Sequence, residues 1–231
     1  MFETTVSDGV LRLHRSRMRW LSTGWNGGFE RAEVAYNISV PEGWERTDLD
    51  AYIEERRARA GFTTSGPTLL TGVDMKHARG ARLDSVVVYA TAGVSNPAAL
   101  PMEPTGEGDS TADSHSVGTV NLIVGTTRSL DDAALANLLA VVVEAKTATL
   151  LSEAGFPGTT TDAVIVGSDE TGDSALFSGS ATVVGAAARA CVREAVRASF
   201  RSRYAERDVP RSVVDAGYGI VTNQRAEVFT P

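Results

Sequence analysis

Glu144 and Lys146 end a stretch, AALANLLAVVV over residues 133–143, that is apolar nearly all the way round a helix. A helix of that kind is buried within a protein. A carboxylate and an ammonium on it could do acid–base or electrostatic work. At about 100° per residue they stand about 200° apart, so each must find its partner on a different neighbouring element. Buried, they cost several kcal/mol unless paired, and such surroundings shift pKa values and build active sites. The alternative is that the helix emerges into solvent near Val143 and leaves both charges exposed. Periodicity does not choose between the two.

Three other segments set glycine and small polar residues at the ends of apolar strands. They are TAGVSN (91–96), GTVN (118–121) and GTTTD (158–162). Strand ends are where a rigid scaffold presents side chains, and glycine lets backbone N–H groups approach an oxyanion. Each segment alone could be an ordinary turn; three of them flanking a Glu/Lys helix point to a site. The three histidines are poorly placed for chemistry: His14 in a strand, His77 in a charged loop and His115 in a polar insertion. A histidine-based zinc site or a Ser-His-Asp triad therefore lacks support.

The elements that must position these residues are strands over 2–6, 10–14, 17–21, 32–40, 68–70, 84–90, 119–124 and 162–166, with a closing strand over 218–228. Helices are expected over 48–60, with Asp48 as N-cap and Gly61 as stop, and over 131–153 and 185–204. Residues 101–116 hold little to bury and read as a surface loop or disordered insertion. Strands dominate the first half and alternate with helices in the second. The expected fold class is α+β, one layered domain over residues 1–231 with mixed β-sheets and two long helices packed on them. In WLSTGWNGGFE, Gly24, Gly27 and Gly28 permit a loop that comes close to a ligand.

The net charge of −7 argues against a nucleic-acid binder, which needs a concentrated basic surface. Only Lys76 and Lys146 are lysine, so 20 of the 22 basic residues are arginine, against 29 acidic ones. An acidic, lysine-poor surface stays hydrated in concentrated salt, and a halophilic source is expected. No stretch approaches the roughly 20 uninterrupted apolar residues of a membrane span, and residues 1–15 lack a signal-peptide pattern. A cytoplasmic protein is the expectation. The single cysteine, Cys191, excludes an internal disulfide, fits a reducing compartment and reads as a small buried apolar residue.

Taken together, TAGVSN, GTVNLIV, the helix ending EAKTATLL, GTTTDAVIV and FSGSATVVGAAARACVREAV resemble the adenosylcobinamide amidohydrolase (CbiZ) family. The resemblance extends upstream to LSTGWNGG, AYNISVP and LLTGVDM, and leaves only the 101–116 insertion without a counterpart. It implies hydrolysis of the linear amide that joins a corrinoid carboxyl side chain to 1-amino-2-propanol, giving adenosylcobyric acid for cobalamin salvage. The corrinoid would be substrate, no cofactor is expected, and a homo-oligomer is compatible with the sequence. A non-catalytic corrinoid-binding protein is the alternative.

Amide hydrolysis needs an activated water or nucleophile, an oxyanion stabiliser and an acid for the leaving amine. Glu144 or Asp162 is the candidate general base, Lys146 the stabiliser or acid, and Asn96 and Asn121 the orienting groups. Thr119 or Thr161 is the alternative, a covalent nucleophile activated beside lysine. Substrate contacts are expected to reach outwards to Asn26 and Gly179, with Trp20 and Trp25 either part of the pocket or core. Carboxylates and Asn suit hard cations, but no ligand spacing argues for a metal, and metal dependence stays open.

Overall fold

The runs VVVYATA, VNLIVGT and AVIVGSD are almost continuously apolar or small, the pattern of strands covered on both faces. In the computed structural model, which describes residues 2–41, 44, 46–106, 110–111, 118–216 and 218–231, they lie at the centre of the molecule. In chain order the elements are β1 (Glu3–Ser7), β2 (Val10–His14), β3 (Met18–Ser22), β4 (Gly28–Arg31), β5 (Val34–Ser39), α1 (Leu49–Arg59), β6 (Thr68–Thr71), β7 (Arg79–Leu83), β8 (Val86–Ala92) and β9 (Pro97–Ala99). They continue with β10 (Ser110–Thr111), β11 (Val120–Thr126), α2 (Asp132–Ala154), β12 (Gly158–Thr159), β13 (Ala163–Asp169), α3 (Val183–Arg203), α4 (Val213–Ala216) and β14 (Ile220–Val221). The fold is α+β with mixed sheets.

One sheet has the order β1-β2-β5-β6 and a second β4-β3-β13-β11-β8-β7. Their inner faces meet through Leu11, Leu13, Ala35 and Leu69 on one side and Met18, Trp20, Ile123 and Ile165 on the other. Outside the first sheet, Tyr36, Ile38 and Val34 receive Ile53 of α1 and Phe62. Outside the second, Val88, Ala90, Leu122, Val124, Val164 and Val166 pack against α2 and α3. The result is four layers, with α1, two sheets and the α2/α3 pair in succession. A small third sheet, β10-β14-β9-β12, sits beside them.

Helix ends follow local chemistry. Asp131 caps α2 by accepting from the Ala134 N–H at 2.7 Å, and Gly155, at φ 76°, ends it in the left-handed region. Asp48 caps α1 as its sequence position predicts, with Gly61 at φ 82° just beyond. By length and composition alone α2 is apolar enough to cross a membrane, although Asn137, Glu144 and Lys146 interrupt its apolar run as the sequence shows. Its apolar character is used against the six-stranded sheet and α3. The closing strand expected over 218–228 shrinks to the two residues of β14. Beyond β14 the Arg225 guanidinium reaches the Pro104 carbonyl at 2.7 Å, and the end of the tail is exposed, Val228 by 94% and Phe229 by 79%. His115 and most of the second half of the 101–116 insertion lie outside the described residues.

Candidate functional site

β11 and β13 run parallel, pairing Asn121 with Ala163, while β8 runs antiparallel to β11 and pairs Ala92 with Val120. The end of β8 and the starts of β11 and β13 therefore meet at one edge of the sheet. The three glycine- and threonine-rich segments that the sequence singles out converge there. Asn96 donates from Nδ2 to Thr160 Oγ1 at 2.7 Å, and its carbonyl accepts from the Thr160 N–H at 3.2 Å. Thr161 Oγ1 reaches the Gly118 carbonyl at 3.4 Å.

At the centre of this edge is a buried ion pair. Lys146 projects from the face of α2 that also carries Val142 and Leu150, and its ammonium donates to Asp162 Oδ2. The two side chains are 8% and 11% exposed. The same Asp162 oxygen accepts from the Thr159 N–H at 3.1 Å, and Oδ1 accepts from the Val120 N–H at 2.8 Å and from the Thr159 hydroxyl. Donors from α2, β11 and the turn before β13 thus saturate one carboxylate, as a buried charge requires. Two glycines leave the room. A Cβ on Gly158 would lie 2.7 Å from Asp162 Oδ2, and one on Gly118 would lie 2.2 Å from Ser95 Oγ.

Beneath the pair, between the sheets, lies an uncharged polar cluster from both sheets. Asn121 Nδ2 donates to Asn37 Oδ1 at 3.1 Å and to the Leu70 carbonyl at 2.8 Å. Asn37 Nδ2 donates to Thr91 Oγ1 at 2.9 Å, and Thr119 donates to Thr71 Oγ1 at 2.8 Å, an oxygen that also accepts from the Val73 N–H at 3.1 Å. All five side chains are buried. Asn121 Oδ1 has no hydrogen-bond donor among the described residues. An orphaned buried acceptor costs about 1–3 kcal/mol, so its retention calls for a reason.

The sequence-predicted residues separate accordingly. Lys146 and Asp162 pair on the α2 side of this sheet edge, Thr119 and Asn121 lie on its other face in the cluster between the sheets, and Asn96 and Thr161 sit in the loops at the same edge. Asn26 sits at the rim, on a turn held to β13 by Thr23, whose N–H donates to the Val164 carbonyl and whose Oγ1 accepts from the Val164 N–H, both at 2.9 Å. Glu144 does not join them: it is exposed and ion-paired with Arg189 of α3. The two readings of the helix are thus divided between its faces, one for each charge. Gly179 is also elsewhere, in the turn before α3, where the neighbouring Ser178 hydroxyl donates to the Ala134 carbonyl. Nine residues of α2, about 14 Å, separate Asn137 in that region from Lys146. Gly24 and Gly27 make their close approaches to the Thr68 and Ser22 carbonyls, so their lack of a side chain serves the loop's own closure.

Asn37 and Thr71 escape the sequence reading. Their signal is an amide in the middle of AYNIS, on the same face as Ala35, and a hydroxyl closing TLLT; both strands are otherwise nearly all buried. His77 stands on a 3-10 turn (Met75–His77) with Nδ1 3.0 Å from Ser202 Oγ. Burial, then Lys76 and Arg203, hold its pKa below the usual histidine value. Among the described residues no three His, Cys, Asp or Glu side chains gather as a metal-ligand set. A groove of about 490 Å³ between α2 and α3 carries Glu153, Arg189 and Arg193 and lies outside the cluster.

Residues 2–208 match the adenosylcobinamide amidohydrolase family, a span that takes in α1 to α3 and both large sheets. The chain belongs to the adenosylcobinamide amidohydrolase family. It is 58% identical to a Halobacterium salinarum protein of that name, with both chains covered end to end. It is 32% identical over 155 residues to one from Methanosarcina mazei, covering 67% of this chain and 71% of that one.

Proposed function

We propose that this chain hydrolyses the amide of adenosylcobinamide to adenosylcobyric acid and 1-amino-2-propanol, as an amidohydrolase of linear amides in cytoplasmic corrinoid salvage. The observation that carries the reading is end-to-end identity of 58% with a protein named for that activity. The strand-end cluster supplies groups of the right kind. Water adds to the amide carbonyl, the C–N bond breaks, and the amine leaves with a proton.

Lys146 is the group suited to stabilise the oxyanion and to protonate the leaving nitrogen. Asp162 holds that ammonium in place. To act as base on water it must release one of its donors, and the Thr159 hydroxyl is the one free to rotate. Glu144, paired with Arg189 on the outer face, is outside this chemistry. Asn96 and Thr161 orient the substrate's amides, and Asn121 Oδ1 offers an acceptor that the protein's described groups leave open. Thr119 remains the covalent alternative: a trapped acyl-enzyme would show as added mass on residue 119, whereas the water mechanism leaves none. The lysine-poor, acidic composition and the Halobacterium salinarum relative support a salt-adapted enzyme. The test is incubation with adenosylcobinamide at high salt, following aminopropanol release; a folded protein that releases none overturns the reading.

A further inference from the structure

Trp20 and Trp25 flank the same loop and have opposite fates. Trp20 is fully buried and gives its indole N–H to the Ala32 carbonyl at 2.8 Å. Trp25 is 46% exposed, yet it is held still. Its Nε1 donates to Asp50 Oδ1 at 2.8 Å, and Asn26, in the left-handed region at φ 49°, donates from Nδ2 to the same oxygen at 3.0 Å. Asp50 lies in the first turn of α1, so the contact ties the loop tip to a helix. Fixing the ring by its edge leaves its faces available.

Several aromatic rings of this arginine-rich chain are instead covered by its own cations. Guanidinium groups stand over Phe2, Phe29 and Tyr36 at 5.2, 5.0 and 5.8 Å from the ring centroids. Among the described residues no guanidinium or second ring packs on Trp25, although indole is the strongest cation–π partner. A large, partly exposed ring held by a hydrogen bond on a loop tied to the strand-end cluster marks a place for a ligand. The rim is near the amide chemistry. Two residues separate Trp25 from Thr23, Thr23 is bonded to Val164, and two residues separate Val164 from Asp162. That path cannot exceed about 20 Å from Cα to Cα.

We infer that the open face of Trp25 is a stacking platform for the purine of the substrate's adenosyl group, with Asp50 as its positioning residue. The inference rests on the proposed activity for its ligand. A purine has the flat π-face that an indole takes, and base–aromatic stacking is strong enough to set affinity. Corrinoids that carry cyanide in place of the adenosyl group lack that face and gain nothing from Trp25.

The test compares equilibrium binding of adenosylcobinamide and dicyanocobinamide to the wild type, Trp25→Leu, Trp25→Phe, Asp50→Ala and Asp50→Asn, with aminopropanol release assayed in parallel. Trp25→Leu should weaken adenosylcobinamide binding roughly tenfold to a hundredfold, leave dicyanocobinamide within about twofold, and be largely rescued by Trp25→Phe. Asp50→Ala should give a smaller, equally selective loss that Asp50→Asn, which keeps the Oδ1 acceptor, restores. Equal losses for both ligands, or none, overturn the inference. Selective, Trp25-dependent binding without aminopropanol release sustains it and sinks the activity; release without that selectivity does the reverse.

Discussion

β13 is bracketed by two buried carboxylates, Asp162 just before its first residue and Asp169 at its end, and their surroundings differ in kind. Asp169 accepts from the Thr171 N–H at 2.8 Å, from the Thr171 hydroxyl at 2.7 Å, and from Arg15 through Nε at 2.8 Å and through a terminal nitrogen. Around it are further arginine–carboxylate pairs, Arg19 with Asp132 and Arg31 with Glu170. Three carboxylates at that end, Asp169, Asp132 and Glu170, each have an arginine counter-charge in the protein. At the Asp162 end the Lys146 pair is joined instead by the Thr159 hydroxyl and the Thr159 and Val120 N–H groups, with Gly158 where a side chain would intrude. One end is closed by charge pairing. The other is furnished with neutral hydrogen-bonding groups, the equipment for an uncharged amide ligand.

The largest effect that would separate the two ends concerns activity. Lys146→Met combined with Asp162→Asn removes both charges together, avoids a lone buried ion, and should fold while losing at least about a thousandfold in kcat. Glu144→Gln, on the outer face of the same helix, should stay within about twofold. If the double variant kept its rate of aminopropanol release, the functional reading of this end would fail.

The next effect concerns stability at the closed end. Burial alone would raise the Asp169 pKa, but the Thr171 hydroxyl and N–H, with Arg15, outweigh it and hold the carboxyl below its ordinary 3.8. A carboxylate with a depressed folded pKa contributes stability that is complete above the unfolded value and is lost as pH falls through the folded one. Asp169→Asn should therefore lower unfolding stability by about 3 kcal/mol at pH 7, with Arg15 left unpaired, and leave kcat unchanged. The gap to wild type should hold down to about pH 5 and close below pH 4 in denaturant titrations. A gap that did not narrow as pH fell below 4 would assign the loss to packing and not to charge.

A third, smaller effect probes the polar cluster that lies beneath only one end. Thr71→Val removes the oxygen on which the Thr119 hydroxyl and the Val73 N–H converge, keeping shape. Each lost neutral hydrogen bond is worth about 1 kcal/mol, so loosening Thr119 should lower kcat roughly five- to tenfold, and the loss of both bonds should lower the melting temperature. An unchanged kcat with a large stability loss would make the cluster a tie between sheets and nothing more.

How much of this was legible beforehand depended on whether the signal was local. The β11 and β13 runs, the Asp48 and Gly61 ends of α1 and the strand-end glycines are set by neighbours in sequence, and they stand as read. Lys146 and Glu144 are two residues apart on one helix, and only the position of α2 between β13 and α3 decides that one is buried and the other wet. Asp162 as partner of Lys146 requires knowing how α2 packs back along β13, and its bond to the Val120 N–H requires β11 beside β13, tertiary placements that periodicity does not contain. The edge strands β4 and β7 were missed for a related reason: GFER and RGARL are mostly exposed and carry little hydrophobic pattern. Gly179, expected as a ligand contact, lies in the turn into α3, where its carbonyl accepts from the capping Thr182.

The smallest predicted effect lies in the layer that both ends share. Cys191 of α3 is 2% exposed in the core between the helices and the six-stranded sheet. Burial, reinforced by the charges of Asp84 and Glu194, pushes its thiol up to about 11. The thiolate is the reactive form, so iodoacetamide at pH 8 should leave Cys191 unmodified in the folded protein and label it at once in denaturant. The stability it contributes is complete below about pH 9, where an unfolded thiol ionises, and is lost as pH rises towards 11. Labelling of the folded protein with a midpoint near 9 would mean that α3 lifts from the sheet. The two ends of β13 would then belong to a layer that opens, and the contrast between a locked end and a ligand-ready end would have to be recast as one of motion.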